Sequence, residues 1–453
     1  MDASNSLADY FAEGKRTLVI GAPFILNQLL QMSIVTIDSI MASSDGKLTL
    51  AAVAQGIILW DVVALIIIGI CMTLTPMIAK THAKGNTEQL RHLFQQNVWT
   101  ALIVGIVGMI LIWYMPWLMV WVGVQSIIIA PATDYLRVMA IGIPFLALML
   151  PTRFFNEGIE NAKIVMLITA LSIPINIIGN YIFIHGLFGF PKMGAAGIAL
   201  SSVISIVIVF FVSWGYLLSS QKTRHYRLMQ AFSRPALLTI QRFFSLGLPN
   251  AVALLLEVGM FAFVVMLSGR MGVTTAAANQ IAFNYASLVF MIPLGISMAL
   301  TARIGRAMAH NDLAKARVIG LSGMGLGALF MVFSILNIVL FGENIARLYS
   351  HDTAVLTLAV GLLTIAAIFQ IPDAIQVCGA GALRGLEQTK APMHYAIIGY
   401  WLIGMPVALL LAFTLDKGAY GLWLGLAIGL TITATLEARK FIHLTRPQIL
   451  PTH

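Results

Sequence analysis

The stretch Leu246–Arg270 reads LGLPNAVALLLEVGMFAFVVMLSGR, and it decides the fold class of the chain. This apolar run is long enough to cross a bilayer as one helix, which takes about 20 residues. It nevertheless holds a carboxylate, Glu257, near its middle. An ionised group at that depth costs roughly 2.5 kcal/mol or more, so such residues are first read as functional. Asn250 lies two turns earlier on the same helix face. This polar stripe predicts the wall of a wet cavity inside a helical bundle.

The composition of the whole chain agrees with this reading. Of 453 residues, 59% are hydrophobic and 10% are charged, whereas about 25% are charged in an ordinary soluble domain. The sequence therefore predicts an integral membrane protein. The net charge of +9 would suggest nucleic acid in a soluble chain. Here we attribute it to basic residues that gather on one side of a membrane, and we expect no nucleic-acid partner.

Hydropathy along the chain predicts about twelve helical spans and hence an all-α membrane protein. The predicted spans lie near residues 17–43, 51–79, 94–122, 131–155, 163–185, 194–218, 241–268, 276–302, 317–341, 354–382, 391–414 and 419–442. If the N-terminus is inside, only Lys47, Arg137, Lys192, Arg270, Arg347 and Lys417 of the 27 basic residues fall outside. The bias predicts that both termini are cytoplasmic.

The chain also repeats itself with a shift of about 226 residues. The pattern G-I-x-M-x-L-T occurs at Gly69–Thr75 and again at Gly295–Thr301. We therefore predict two pseudo-symmetric six-helix lobes, with an N-terminal lobe at residues 1–219, a cytoplasmic linker at 220–240 and a C-terminal lobe at 241–453 that ends in a short cytoplasmic tail. An even number of spans per lobe gives both lobes the same orientation, with substrate handled between them.

Four carboxylates fall well within predicted spans: Asp38, Asp61, Glu257 and Asp373. Amide side chains form polar stripes on the same or other spans, namely Gln31 before Asp38, Asn176 and Asn180 on span 5, and Gln280 and Asn284 on span 8. No lysine or arginine is expected deep enough to neutralise the acids. Each acid must then be protonated, bind a cation or face water.

Structural roles remain open for these residues. The acids could hydrogen-bond a neighbouring helix, and amides commonly join membrane helices to one another. Arg384 and Lys390 are most simply read as cytoplasmic anchors. No nucleotide-binding loop, zinc-protease motif or serine-hydrolase motif occurs in the sequence. We therefore expect a protein that is not an enzyme, has no cofactor and draws energy from an ion gradient.

Several motifs together resemble the multidrug and toxic compound extrusion (MATE) family, and most closely its NorM-like branch. They are VTIDSIMA around Asp38, LAAVA at Leu50–Ala54, INIIGNYIF around Asn180, LLLE at Glu257, AANQ before Ile281, MIPLGIS after Phe290, and FQIPDAIQ with ALRG around Asp373 and Arg384. The resemblance covers essentially the whole chain. It implies a V-shaped pair of six-helix lobes and export of cationic, lipophilic drugs in exchange for Na⁺ or H⁺.

The resemblance also implies roles for single residues. Glu257 and Asp373 correspond to the cation-site acids of the C-terminal lobe, which would be the Na⁺ ligands of a sodium-coupled member. Asp38 corresponds to the N-terminal-lobe acid that titrates or meets drug. Asp352 resembles an acidic loop position implicated in drug contact.

Three departures from the family pattern bear on coupling and specificity. Phe290 stands where NorM-like members often have a tyrosine implied in cation coordination, which weakens the case for pure sodium coupling. Asn180 stands where some members have an aspartate, which weakens a second ion site. Asp61 is an additional acid, and we expect it to favour cationic substrates.

From these observations we predict a secondary antiporter that works by alternating access. The partners are small cationic drugs and membrane lipid, and we expect a monomer in the bacterial inner membrane. One alternative is a flippase for a lipid-linked precursor. Such a protein should carry basic residues along its central cavity, and none is expected here. Another is a membrane-embedded enzyme, which would need clustered acidic motifs rather than acids scattered singly over four helices.

Overall fold

The computed structural model describes residues 7–446, and in that range the chain forms helices and no β-strand. The helices are α1 (Leu7–Asp45), α2 (Lys47–Cys71), α3 (Leu74–Ala83), α4 (Thr87–Tyr114), α5 (Trp117–Val122), α6 (Ser126–Gly158), α7 (Ala162–His185), α8 (Gly194–Ser219), α9 (Gln221–Arg224), α10 (Leu237–Arg270), α11 (Val273–Ala307), α12 (Leu313–Arg347), α13 (Thr353–Gly385), α14 (Lys390–Ala396), α15 (Met405–Leu409) and α16 (Gly418–Leu444). A 3₁₀ turn follows α11 at Met308–His310, and π-helical turns lie at Ile397–Gly404 and Leu410–Thr414.

Twelve helical segments within the described range are long and apolar enough to cross a membrane. This confirms the predicted all-α, multi-pass fold class. Two of the spans are composite, because α2 and α3 together form Lys47–Ala83, and α14, α15 and the π-helical turns together form Lys390–Thr414. The third predicted span, 94–122, is displaced toward the N-terminus, because its helix begins at Thr87. Its helix ends at Tyr114, and Pro116 then begins the separate helix α5.

The described residues pack into two compact units, and two helices cross from one unit to the other. The N-terminal unit is Leu29–Ala251, and the C-terminal unit comprises the chain up to Gln28 together with the chain from Val252 onward. Helix α1 thus changes units after Gln28, and α10 changes units after Ala251. The lobe boundaries inferred from the repeat, at residues 1–219, 220–240 and 241–453, remain a prediction.

Two glycines at equivalent positions of the sequence repeat contact α10 and α1, the two helices that belong to both units. A Cβ on Gly69 would lie 2.5 Å from the Cα of Ala251 on α10, and a Cβ on Gly295 would lie 2.6 Å from the Cα of Ile25 on α1. Helix backbones approach this closely only where a side chain is absent, as in other small-residue contacts between membrane helices. The two copies of the G-I-x-M-x-L-T pattern therefore make the same kind of contact, each within its own unit.

One long helix organises the packing of each unit. In the N-terminal unit α6 packs against α8, α4 and α2, and in the C-terminal unit α13 packs against α11, α16 and α12. These helices are the fourth spans of the two sequence repeats. Each brings polar side chains near its C-terminal end into the interior of its unit, and the candidate sites are built around them.

The segment between α9 and α10 is attached to the N-terminal unit by two buried glutamines of α4. Gln95 donates to the Leu228 carbonyl at 2.8 Å and accepts from the Ser233 amide at 3.0 Å. Gln96 accepts from the Ala236 amide at 2.7 Å. These bonds satisfy backbone groups that no helix ladder uses, so the segment has a defined path.

Candidate functional site

A cavity of about 340 Å³ lies within the N-terminal unit. Side chains from five helices (α1, α2, α6, α7 and α8) line it. Most of its wall is apolar, and the polar groups include Gln31, Asp38, Asp61, Arg153 and Asn176. An apolar pocket with a few polar groups is the usual form of a small-molecule site. The structure thus brings together Gln31, Asp38, Asp61 and Asn176, which the sequence analysis had placed on three different spans.

Asp38 is the centre of a hydrogen-bond network that joins α1, α7 and α8. Its Oδ1 accepts from the Nδ2 of Asn180 at 2.6 Å, and its Oδ2 accepts from the Ser202 hydroxyl at 3.4 Å. The same Asn180 nitrogen donates to the Oδ1 of Asn176 at 3.1 Å. Asp38, Asn176 and Asn180 are all buried. Since the Asn180 amide nitrogen points at Asp38, its buried oxygen is left without a partner among the described residues.

Asp61 and Arg153 place opposite charges on the wall of this cavity. Asp61 lies on α2 and is exposed there. Arg153, on α6, forms an ion pair of 2.8 Å with Glu157 one turn later. Arg153 thus brings a basic side chain to this wall, but its ion pair is with Glu157 and not with one of the four acids singled out in the sequence. Its partner Glu157 is only 1% exposed, so most of the charge that Arg153 brings to the cavity is balanced within α6.

The C-terminal unit holds a second polar region around Glu257 and Asp373. Glu257 lies on α10 and is partly buried, whereas Asp373, on α13, is 7% exposed. The two carboxyl groups are close enough to interact electrostatically. Asp373 Oδ1, Gln376 Oε1 and both amide atoms of Gln370 are buried without a hydrogen-bond partner among the described residues. Buried polar atoms are normally satisfied, so α13 carries three side chains with unpaired oxygen atoms inside this unit.

Two charged residues of this region were misjudged or missed in the sequence. Arg384 was read as a cytoplasmic anchor, but it is 7% exposed and donates from Nη2 to the Ser297 hydroxyl at 2.8 Å. Glu437, on α16, is completely buried and was not predicted, although it lies within the predicted span 419–442. The i, i+4 spacing of Thr433 and Glu437 on one apolar helix face was the available signal.

Other predicted residues lie outside these two regions. Gln280 and Asn284 hydrogen-bond each other at 3.0 Å along α11. Phe290 packs against a buried apolar cluster formed by α11, α12, α13 and α16. Asp352 caps α13, because its Oδ1 accepts from the Ala354 and Val355 amides at 2.8 and 3.2 Å. None of these four residues lines the N-terminal cavity.

Within residues 7–446, no three His, Cys, Asp or Glu side chains are placed together so as to hold a metal ion. Glu257 and Asp373 are two acids, one fewer than such a group requires. Oxygen-rich sites for hard cations are commonly completed by amide and carbonyl oxygens, and Gln370 and Gln376 lie on the same helix as Asp373.

Comparison with known proteins gives one family. The family model described as MatE matches residues 23–182 and 249–410. The two matched segments correspond to the two sequence repeats and together span most of the chain.

Solved structures of transporters have the same fold. The chain matches the eukaryotic MATE transporter AtDTX14 at 20% identity and a TM-score of 0.84, over 96% of this chain and 100% of the other. It matches an outward-facing multidrug resistance MATE transporter of the MOP superfamily at 18% identity and a TM-score of 0.87, over 96% of both chains. A MOP superfamily transporter from Pyrococcus furiosus, described as having a binding pocket of reversed polarity, matches at 18% identity and a TM-score of 0.86, over 96% of both chains.

Proposed function

Because the chain belongs to the MatE family of membrane transporters, we propose that it is a secondary antiporter that exports cationic, lipophilic compounds in exchange for Na⁺ or H⁺. It is a transporter and not an enzyme. The exchange mechanism, the coupling ion and the substrates are the proposed part. We further propose that it acts as a monomer in a bacterial inner membrane, with both termini in the cytoplasm, as the distribution of basic residues favours.

One observation carries the proposal: two acids of neighbouring apolar helices, Glu257 and Asp373, are close enough to interact electrostatically, and a buried carboxyl oxygen of Asp373 has no hydrogen-bond partner among the described residues. Two adjacent carboxylates cannot both remain ionised in a low-dielectric interior unless a positive charge joins them. A transported Na⁺ or H⁺ supplies that charge. Binding and release of the ion at this pair would couple its gradient to transport.

The N-terminal cavity supports the proposed substrate class. Its mostly apolar wall suits a lipophilic body, and Asp38 and Asp61 supply negative charge. Asp61 is the better candidate for direct contact, because it is exposed, whereas the Asp38 oxygens already accept hydrogen bonds from Asn180 and Ser202. Asn176 and Gln31 would add polar contacts at the same wall.

Coupling follows from differential binding to two conformations. An ion that binds Glu257 and Asp373 more tightly in the outward-facing form shifts the population toward that form, by no more than the difference in its two binding free energies. Substrate release resets the cycle. Transporters built from two repeated bundles commonly move in this way around a central site.

The experiment that tests the proposal uses purified protein in liposomes loaded with ethidium. Efflux is measured under an inward Na⁺ gradient alone and then under a proton gradient alone. Acceleration by either gradient supports antiport and identifies the ion. If neither gradient accelerates efflux of ethidium or of a fluoroquinolone, the antiporter proposal is wrong.

Flipping of an anionic lipid-linked precursor is not favoured by the cavity. The one basic side chain on its described wall, Arg153, is ion-paired with Glu157, while two acids face the same space. A site for pyrophosphate would need basic groups free to bind it.

A further inference from the structure

The segment that connects α8 to α10, residues 220–236, carries positive charge with no compensating acid. No aspartate or glutamate occurs between Glu160 and Glu257. Four basic side chains of the segment are exposed, namely Lys222, Arg224, Arg227 and Arg234. None of these four forms an ion pair with another residue in the range 7–446. Their charge is therefore available to an anionic partner.

The connecting segment follows a fixed path along α4. The side chains of Gln95 and Gln96 form hydrogen bonds with its backbone. Trp99, one turn later on α4, donates from Nε1 to the Ser233 carbonyl at 3.0 Å. Because its backbone is held at several points, the segment presents a constant set of side chains to its surroundings.

Buried side chains alternate with the basic ones in the first half of the segment. Thr223, Tyr226 and Leu228 are each no more than 6% exposed. The Tyr226 hydroxyl forms a hydrogen bond of 3.0 Å with Nδ1 of His82 on α3. Since these three side chains face the N-terminal unit, the basic side chains beside them point away from it. The connecting segment therefore has one buried face and one basic face.

The contact with α4 places the segment at the level of the lipid headgroups. Helix α4 contains 28 residues and is about 42 Å long, whereas the hydrocarbon core of a bilayer is about 30 Å thick. Gln95 lies about 12 Å from the start of α4 at Thr87, and the helix becomes mainly apolar only after Asn97. The basic face thus lies near the boundary of the hydrocarbon rather than far out in water.

Exposed apolar side chains accompany the charges. Phe232 packs against Trp99 with ring centroids 5.7 Å apart and is 39% exposed, and Met229 is 41% exposed. Aromatic side chains are enriched at the level of the headgroups. Apolar and basic side chains side by side are typical of chain segments that lie on an anionic membrane surface.

We propose that the connecting segment binds the phosphate groups of anionic phospholipids through Lys222, Arg224, Arg227 and Arg234. The partner is the lipid leaflet that faces the segment, and Phe232 contacts the beginning of the acyl chains. Each basic side chain near an anionic membrane surface adds to the attraction, and arginine binds phosphate through two nitrogens. No residue of the N-terminal cavity or of the Glu257 and Asp373 pair takes part, so this binding is independent of the proposed transport.

The experiment uses the purified full-length protein in detergent, titrated with dioctanoyl phosphatidylglycerol and followed by thermal unfolding. A ligand that binds only the folded state raises the unfolding temperature. Phosphatidylglycerol should raise it more than phosphatidylcholine of the same chain length, because only phosphatidylglycerol has net negative charge. The difference should shrink at high salt. Equal shifts for the two lipids would contradict the proposal.

A triple variant tests whether the basic face is the binding surface. Arg224→Gln, Arg227→Gln and Arg234→Gln together should raise the half-saturating concentration of phosphatidylglycerol by at least about tenfold. The matched control removes the same charge from exposed positions of the C-terminal unit, with Lys315→Gln, Lys390→Gln and Arg439→Gln. It should stay within about twofold of the wild type. An equal loss in both triple variants would show that only net charge matters, and the proposal would be wrong.

Two additions complete the test. Inorganic phosphate at the same concentrations should not reproduce the shift, and if it does, the segment binds free phosphate and the lipid proposal fails. If the triple variant does not fold, Arg227→Gln and Arg234→Gln are measured singly. Each should raise the half-saturating concentration of phosphatidylglycerol by about threefold, and no change in either contradicts the proposal.

Discussion

The Nδ2 of Asn180 donates a hydrogen bond of 2.6 Å to the Oδ1 of Asp38, although 142 positions separate the two residues in the chain. The bond joins α7 to α1 beside the N-terminal cavity. It gives a buried carboxyl group a fixed orientation and leaves the Asn180 oxygen free. This pairing is the basis of the first prediction.

Asn180→Ala should destabilise the protein by about 1–3 kcal/mol, because a hydrogen bond to a charged group is lost and Asp38 is left with the weaker contact to Ser202. Thermal unfolding in detergent measures the change. Ser39→Ala is the control on α1, next to Asp38, since the Ser39 hydroxyl is exposed and bonds the Val35 carbonyl one turn earlier. Equal unfolding temperatures for the two variants would show that the Asn180 bond contributes nothing.

Glu257→Gln and Asp373→Asn should fold normally and lose ion-driven efflux by at least about tenfold. Each change removes one of two acids that interact with each other, so the repulsion between them falls. It also removes a negative charge of the proposed ion site. Efflux from liposomes under the effective gradient is the measurement, with unfolding temperature as the check on folding. Normal efflux in both variants would remove these residues from the ion site.

Asp61→Asn should weaken transport of cationic compounds by about fivefold, which corresponds to about 1 kcal/mol for a partly exposed charge pair. Transport of neutral lipophilic compounds should not change, because the cavity volume and apolar wall are preserved. The difference should shrink at high salt, since exposed charges are screened. The measurement is efflux of a cationic and a neutral dye by the same liposomes. An unchanged cationic rate would exclude Asp61 from substrate selection.

Gly295→Ala should lower the free energy of unfolding by about 1–3 kcal/mol, because the new methyl group would lie 2.6 Å from the Ile25 backbone and force α1 and α11 apart. Gly325→Ala is the matched control on α12, where nothing lies within 4 Å. Alanine there should be neutral or stabilising by up to about 1 kcal/mol, because it favours the helical backbone more than glycine does. Similar melting curves for the two variants would show that the α1 contact can adjust.

Much of the fold was predictable, because segments that span a membrane share a simple sequence pattern. A run of about 20 apolar residues has few alternatives to a spanning helix, and the G-I-x-M-x-L-T repeat pointed to two related bundles. The acids of the candidate ion site were also identified from the sequence, since an acid such as Asp373 within an apolar run is conspicuous. Boundaries near prolines were less predictable, as the end of α4 at Tyr114 shows.

Charged residues near helix ends were harder to interpret. Arg384 and Glu437 lie close to the ends of α13 and α16, where sequence alone cannot distinguish a side chain that reaches water from one that faces a neighbouring helix. Arg153 was ambiguous for the same reason. Which helix packs beside each end decides whether such a charge is solvated, and hydropathy carries no information about that.

The amino-acid sequence by itself determined that this protein has twelve apolar helices, an internal repeat and lone acids within the apolar runs, because hydrocarbon admits only segments that satisfy their own backbone hydrogen bonds. The tertiary structure alone decided which polar groups meet. Asn180 hydrogen-bonds Asp38, and Arg384 hydrogen-bonds Ser297, because contacts between distant segments depend on how helix faces are turned toward one another in the packed units.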